Sequence, residues 1–197
     1  MARPREFDRG EALAKARDAF WARGYEGTSI ADLVTALGLA PARLYAAFGS
    51  KEALFREAVA LYEAEEGSFA ARALAGEGSA RHAVARMLAD AVDTYTRPGR
   101  PLGCLVVSAA ASSAAENDAV RRFLADRRQA QTASIIDRLQ RAVADGELPI
   151  GTDVQTLGDA VATLLNGIAV KARDGHPKAR LDAMCDLVMA ALFPPLA

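Results

Sequence analysis

Arg43, Tyr45 and Lys51 set a guanidinium, a phenol and an ammonium along the segment 28–51, TSIADLVTALGLAPARLYAAFGSK. A guanidinium can make a paired contact to guanine in the DNA major groove, while alanines touch only thymine methyls. An ammonium in the first turn of a helix stands where backbone N–H groups and the helix dipole favour a phosphate. The second chemistry is that of a thiol. Cys104 follows RPGRPLG (97–103) at the expected start of a helix. There a helix dipole and Arg100 would lower a thiol pKa, although free cysteines more often serve as small buried apolar residues. Catalytic constellations are missing: no phosphate-binding glycine loop, no nucleophile elbow and no motif pairing His with a carboxylate. Enzymatic activity and a cofactor are therefore not expected. His82 and His176 form no ligand-spaced cluster with the cysteines, so no metal site is expected either.

The elements that must position these groups can be read from local signals. Ser29 can cap a helix over 29–37, with Asp32 three residues on in a capping-box position. Ile30, Leu33, Val34 and Leu37 give that helix an apolar stripe. Gly38 can take the left-handed turn, and Pro41 suits the first turn of a helix over 41–48. Leu44, Tyr45 and Phe48 give this second helix a buried face. Two short helices hinged at a glycine have the form of a helix-turn-helix, whose second helix enters the major groove. Its outward positions are Ala40, Pro41, Ala42, Arg43, Ala46 and Ala47, so base readout falls on Arg43, which a phosphate would suit equally.

The remaining punctuation predicts nine helices in all. They lie over 7–23, 29–37, 41–48, 51–74, 79–96, 103–115, 118–145, 152–173 and 178–193, with 97–101 as the strongest breaker. The fourth begins at Ser50 without a flexible linker, which divides the chain into 1–50 and 51–197 and makes this helix a mechanical link. Its acidic run of Glu63, Glu65 and Glu66 reads as a solvated face. An all-α fold suits a chain of 197 residues that is 51% hydrophobic, rich in Ala and Leu and poor in β-branched runs. The net charge of −1 supplies no global attraction to nucleic acid. Residues 1–56 nevertheless hold nine basic and seven acidic side chains, a net of +2, leaving −3 for the rest. The charged start is not a signal peptide, and no apolar run has membrane-spanning length. Two distant cysteines do not make a disulfide framework, so a reducing cytoplasm is expected.

Residues 20–54 also resemble the DNA-binding domain of the TetR/AcrR family of one-component transcriptional repressors. The shared pattern is Phe20-x-x-x-Gly24-Tyr25-x-Gly27-Thr28-Ser29, then Gly38-Leu39, then Leu44-Tyr45-x-x-Phe48-x-Ser50-Lys51-x-x-Leu54. The resemblance implies a homodimer that binds double-stranded operator DNA through three small helices and a small-molecule effector through a larger helical domain. It implies that Tyr45, Thr28 and Lys51 bind backbone phosphates, contacts that fix register without reading sequence. A half-buried Tyr45 and a solvated Lys51 are the plainer readings of the same residues. The alanine-rich reading face departs from relatives that carry Ser, Thr, Lys or His there. Arg3 and Arg5 would form an N-terminal arm reaching DNA, or an ordinary basic tail.

In the last two helices, apolar residues run nearly all round. Leu157, Val161, Leu164 and Ile168 form one stripe, and Gly158, Ala162, Leu165 and Ala169 another. Leu181, Cys185, Val188 and Leu192 continue the theme. A helix with two apolar faces packs on two sides, one of them a partner subunit across a two-fold axis. Gly158 and Gly167 would permit close helix approach. For the effector, Met87, Tyr95, Cys104, Val107, Phe123 and Asn166 are candidate contacts. GCL (103–105) resembles an element of electrophile- and metal-responsive members of the family, which makes Cys104 a candidate sensing thiol. The rival reading is a helical thiol-redox or small-molecule-binding module that does not act on DNA.

Overall fold

The computed structural model describes residues 8–111 and 117–193, and all regular elements there are helical. In order they are α1 (Arg9–Arg23), α2 (Ile30–Leu37), α3 (Pro41–Phe48), α4 (Lys51–Ala64), α5 (Phe69–Ala75), α6 (Ala80–Tyr95), α7 (Leu105–Ala111), α8 (Asp118–Ala144), α9 (Val154–Arg173) and α10 (Lys178–Leu192). Eight of the nine expected helices are present, within a few residues at each described end. The expected end of the 103–115 helix lies outside the described residues, as do Arg3 and Arg5.

One expectation fails. The single helix over 51–74 is two, α4 and α5, separated at Glu65 and by a single 3-10 turn, Glu66–Ser68. The break carries both a poor helix former, Gly67, and an ion-pair cluster. Arg17 of α1 is 6% exposed at its side chain and pairs with Glu65, Glu66 and Asp18. Arg100 pairs with Glu66 and with Asp18 at 3.2 Å, and the Glu66 side chain is only 9% exposed. Two consecutive carboxylates drawn to one guanidinium work against a regular helix, in which neighbours diverge by about 100°. Glu63 pairs separately with Arg127 of α8, at 2.8 Å. The acidic run is therefore an inter-helix anchor, not a solvated face.

A continuous apolar core joins the small helices to the large ones. α1 packs on α4, α2 and α7, while α6 and α9 pack on each other and on both α8 and α10. Trp21 is the clearest junction between the two parts. It is buried, donates from Nε1 to the Gly103 carbonyl at 3.0 Å, and meets Tyr62 edge-on at 4.9 Å. Arg173 of α9 donates to the Trp21 and Ala22 carbonyls at 3.2 and 2.8 Å, covering the C-terminal end of α1. Gly103 itself has φ +77, and a Cβ there would come within 2.6 Å of the Ala169 carbonyl, so only glycine fits.

Candidate functional site

The α2–α3 pair owes its form to local chemistry. Ser29 Oγ accepts from Asp32 N at 3.1 Å, and the Asp32 carboxylate accepts from Ser29 N at 2.9 Å, closing a capping box. The Ser29 hydroxyl, donating to the same carboxylate at 2.7 Å, holds the Asp32 carboxyl below its ordinary pKa, helped by the Ser29 N–H and by Arg23 3.1 Å away. Gly38 ends α2 in the left-handed conformation at φ 67, ψ 32, and Pro41 opens α3. The two axes meet at 93°, within the range of a helix-turn-helix. Leu33, Leu37, Leu44 and Phe48 bury the inner faces.

What α3 turns outward is Pro41, Ala42, Arg43, Tyr45 and Ala46, all exposed. Tyr45 is 45% exposed, unusual for an aromatic side chain on so short a helix, and its phenol is accessible rather than half-buried. Lys51 opens α4 beside this face. Its Nζ lies 4.2 Å from the centre of the Tyr25 ring, and partial burial lowers its pKa while Glu26 and Asp32 raise it. Lys51 is therefore a seated cation, partly buried over an aromatic ring and in the field of Glu26 and Asp32. Tyr25 in turn packs on Phe55 at 5.0 Å, so the seat is anchored in the core.

Thr28 departs from expectation. It is 0% exposed, and its hydroxyl donates to the Gly24 carbonyl at 2.7 Å. A hydroxyl enclosed and spent on the backbone has nothing to offer a phosphate. Its observed role is to brace the turn between α1 and α2. Arg9, which the sequence reading passed over, lies 4.6 Å from the Phe48 ring centre and forms a paired contact with Glu57 at 2.7 and 2.8 Å. It ties α1 to α3 and α4.

The candidate effector residues divide. Cys104 and Val107 line a cavity of about 290 Å³ bounded by the α4–α5 break, α7 and α8. Tyr95 lies behind it. Tyr62 and Tyr95 have hydroxyl pKa values raised by burial first and by Cys104 second, which places both phenols against the thiol. Arg100 is not available to Cys104, because it pairs with Glu66 and Asp18. Met87 is enclosed in the core of α6, and Phe123 lies beneath the Arg56 guanidinium at 4.5 Å. Neither these two nor Asn166 line the cavity. Arg127, Arg128 and Gln131 do, and were missed. The signal for Arg128 was its place on the stripe of Val120, Leu124 and Ile135, where an apolar side chain is the rule.

Cys185 borders a wider groove of about 560 Å³ between α6 and α10, and burial pushes its thiol up to about 11. Both cysteines are free and buried. No described helix is long and apolar enough to cross a membrane by itself.

A family model described as bacterial regulatory proteins, tetR family, matches residues 12–58, and a Tetracyclin repressor-like C-terminal domain model matches 78–187. The chain belongs to the TetR family of transcriptional regulators. This TetR-family chain is 33% identical over 174 residues to the HTH-type transcriptional repressor ComR of Escherichia coli K12, covering 88% of this chain and 83% of ComR. It is 27% identical over 190 residues to the repressor BdcR of the same organism, covering 96% and 91%. Among solved structures it resembles a cysteine mutant of the regulator CifR complexed with 26-bp double-strand operator DNA. That match has 44% identity and a TM-score of 0.92, and covers 98% of this chain and 100% of the other. As a TetR-family regulator, the protein is a DNA-binding protein whose homologues hold a non-enzymatic role.

Proposed function

We propose that this regulator represses transcription in the cytoplasm, as a homodimer that residues 1–50 attach to operator DNA and a small molecule releases. The observation that carries the reading is α3, a short helix held at 93° to α2 whose outer face keeps Tyr45 and Arg43 exposed next to the seated Lys51. Tyr45 and Lys51 grip phosphates, and Arg43 is the one long donor on α3 for a base edge or a further phosphate. Two such heads engage successive major grooves about 34–36 Å apart. Residues 51–197 hold the partner subunit and the effector.

Dimerisation through α9 and α10 is supported by the side chains left outside. Leu187 is 73% and Val170 46% exposed, and Gly167 has open space where a Cβ would stand. The apolar residues Val161, Leu165, Ile168 and Leu181 are buried within the subunit. Gly158 also faces inward, against Ile136 of α8, so its close approach serves the subunit.

Effector coupling is supported by α4. Its first residue is Lys51, and its last turn and the break beyond it supply Glu63, Gly67 and Ser68 to the cavity wall. A ligand that favours one position of this wall favours one position of the DNA-facing end. Cys104 in the same wall is a contact for that ligand and a candidate sensing thiol. The test is fluorescence anisotropy with DNA from upstream of the gene against a scrambled duplex, over a range of salt. Sequence-selective binding that weakens steeply with salt is expected. Equal binding to both duplexes would overturn the reading and favour a module that does not act on DNA.

A further inference from the structure

The 290 Å³ cavity has a charge imbalance that specifies the chemistry of its occupant. Much of its lining is apolar, with Ala70, Leu74, Val106 and Val107 prominent. Its charged groups are Glu63, Arg127 and Arg128. Glu63 is fully engaged by Arg127, which reaches both carboxylate oxygens at 2.9 and 2.8 Å. That leaves Arg128. Among the described residues only two buried side-chain polar atoms lack a hydrogen-bond partner, Arg128 Nη1 and Tyr62 Oη. Arg128 lines the cavity, although its Nη1 is itself closed to solvent, and Tyr62 lies behind Cys104, which is part of the wall. The adjoining 360 Å³ cavity, which Arg128 also borders, offers it no relief. Asp118 there is paired with Arg122, and Arg121 adds a further positive charge.

A guanidinium without an ion-pair partner in a largely apolar wall leaves a positive charge unbalanced where water is scarce. A monoanion with an apolar body balances that charge and fills the remaining space with hydrocarbon. A phosphate would need several donors; here a single unpaired guanidinium, that of Arg128, and the Gln131 amide, one turn further along α8, line the wall. We propose that this cavity binds a small apolar carboxylic acid as its anion, with Arg128 as the counter-ion. The proposal rests on reading the helical domain as effector-binding, and it names the effector's class.

Octanoate and octanamide share a chain and differ in charge, so calorimetry of both on the full-length protein without DNA isolates the carboxylate. Octanoate is expected to bind at least tenfold more tightly. Arg128→Met should erase that preference while the amide still binds, and removing the neutral pair together, Glu63→Gln with Arg127→Gln, should preserve it. Equal affinities in the native protein, binding of neither compound at millimolar concentration, or a preference that survives Arg128→Met would each overturn the proposal. Should Arg128→Met lose its helical circular dichroism, carboxyl-labelled [1-¹³C]octanoate bound to the native protein gives the same answer by NMR. Its carboxyl should titrate below the free acid beside a guanidinium, and an unshifted or raised titration would overturn the assignment. Binding without any loss of operator affinity would leave the carboxylate site standing and remove only its role in DNA release.

Discussion

Residues of one motif divide between gripping and bracing, and burial tells them apart. Tyr45 is exposed and Lys51 is seated over the Tyr25 ring, the two side chains proposed to grip phosphate, whereas Thr28 has spent its hydroxyl on the Gly24 carbonyl. Lys51→Ala is therefore expected to weaken operator binding roughly 10- to 100-fold near 0.15 M salt. It should also reduce the slope of log affinity against log salt by about two in a dimer, one phosphate contact being lost per head. Tyr45→Phe should weaken binding about tenfold with little change of slope, because a neutral donor displaces no counterion. Thr28→Val should behave differently. It leaves a buried carbonyl without its donor, lowering stability by about 1 kcal/mol in urea unfolding, with the salt slope intact. A reduced slope for Thr28→Val would return that residue to the phosphate-binding set. The motif's order and spacing reveal which positions matter in the sequence, but not which side of the turn each faces. Thr28 and Tyr45 look alike until the fold closes over one of them.

Elements were legible where their causes are local and obscure where they are distant. The capping box, the left-handed Gly38 and Pro41 all act within a few residues, so α2, its turn and α3 could be placed from the sequence. The α4–α5 break was not placed: Gly67 is a weak local signal by itself, and the Arg17 and Arg100 pairs that meet there come from far away in the chain. Arg128 was overlooked for a related reason: an arginine reads as solvated unless its neighbours one turn either way are known to be buried. Glu66→Gln tests the origin of the break. Arg17 retains Asp18 and Glu65, and Arg100 retains Asp18, so the cost should fall below that of a fully orphaned pair, to about 2 kcal/mol in urea unfolding. No loss of stability would mean that the cluster follows the bend instead of causing it. The α2 cap gives a pH test. Asp32 has a lower pKa folded than unfolded, so its stabilising effect is present above the unfolded value and lost as acidity carries the pH through the folded one. Asp32→Asn should therefore lower the melting temperature near pH 7, with the difference from the native protein shrinking as pH falls through roughly 4 and below. A difference independent of pH would place the effect in something other than the carboxylate.

For the whole molecule, the DNA face and the cavity belong to one mechanical unit only if the two heads are held at a fixed spacing. Within a subunit the linkage is continuous, from the cavity wall at Glu63 and Gly67 along α4 to Lys51, with Trp21 and Arg173 fastening α1 to α7 and α9. Between subunits the proposed linkage would run through the outer faces of α9 and α10, where Leu187 and Val170 stand exposed in the single chain. A leucine 73% exposed in the middle of a helix gains nothing from water, and a charge there would not disturb the subunit's own core. Leu187→Glu should accordingly yield a folded monomer by light scattering, with unchanged helical circular dichroism. Two like charges facing each other across a two-fold axis, desolvated on association, oppose the dimer. Operator affinity should fall at least 100-fold, since one head alone forfeits the contacts of the second half-site. Effector affinity should change far less, because the cavity is formed by α4, α5, α7 and α8 of one chain. A variant that remains dimeric would move the interface away from Leu187. A monomer that keeps its operator affinity would instead show that a single head suffices, and that spacing between heads is not how the effector acts.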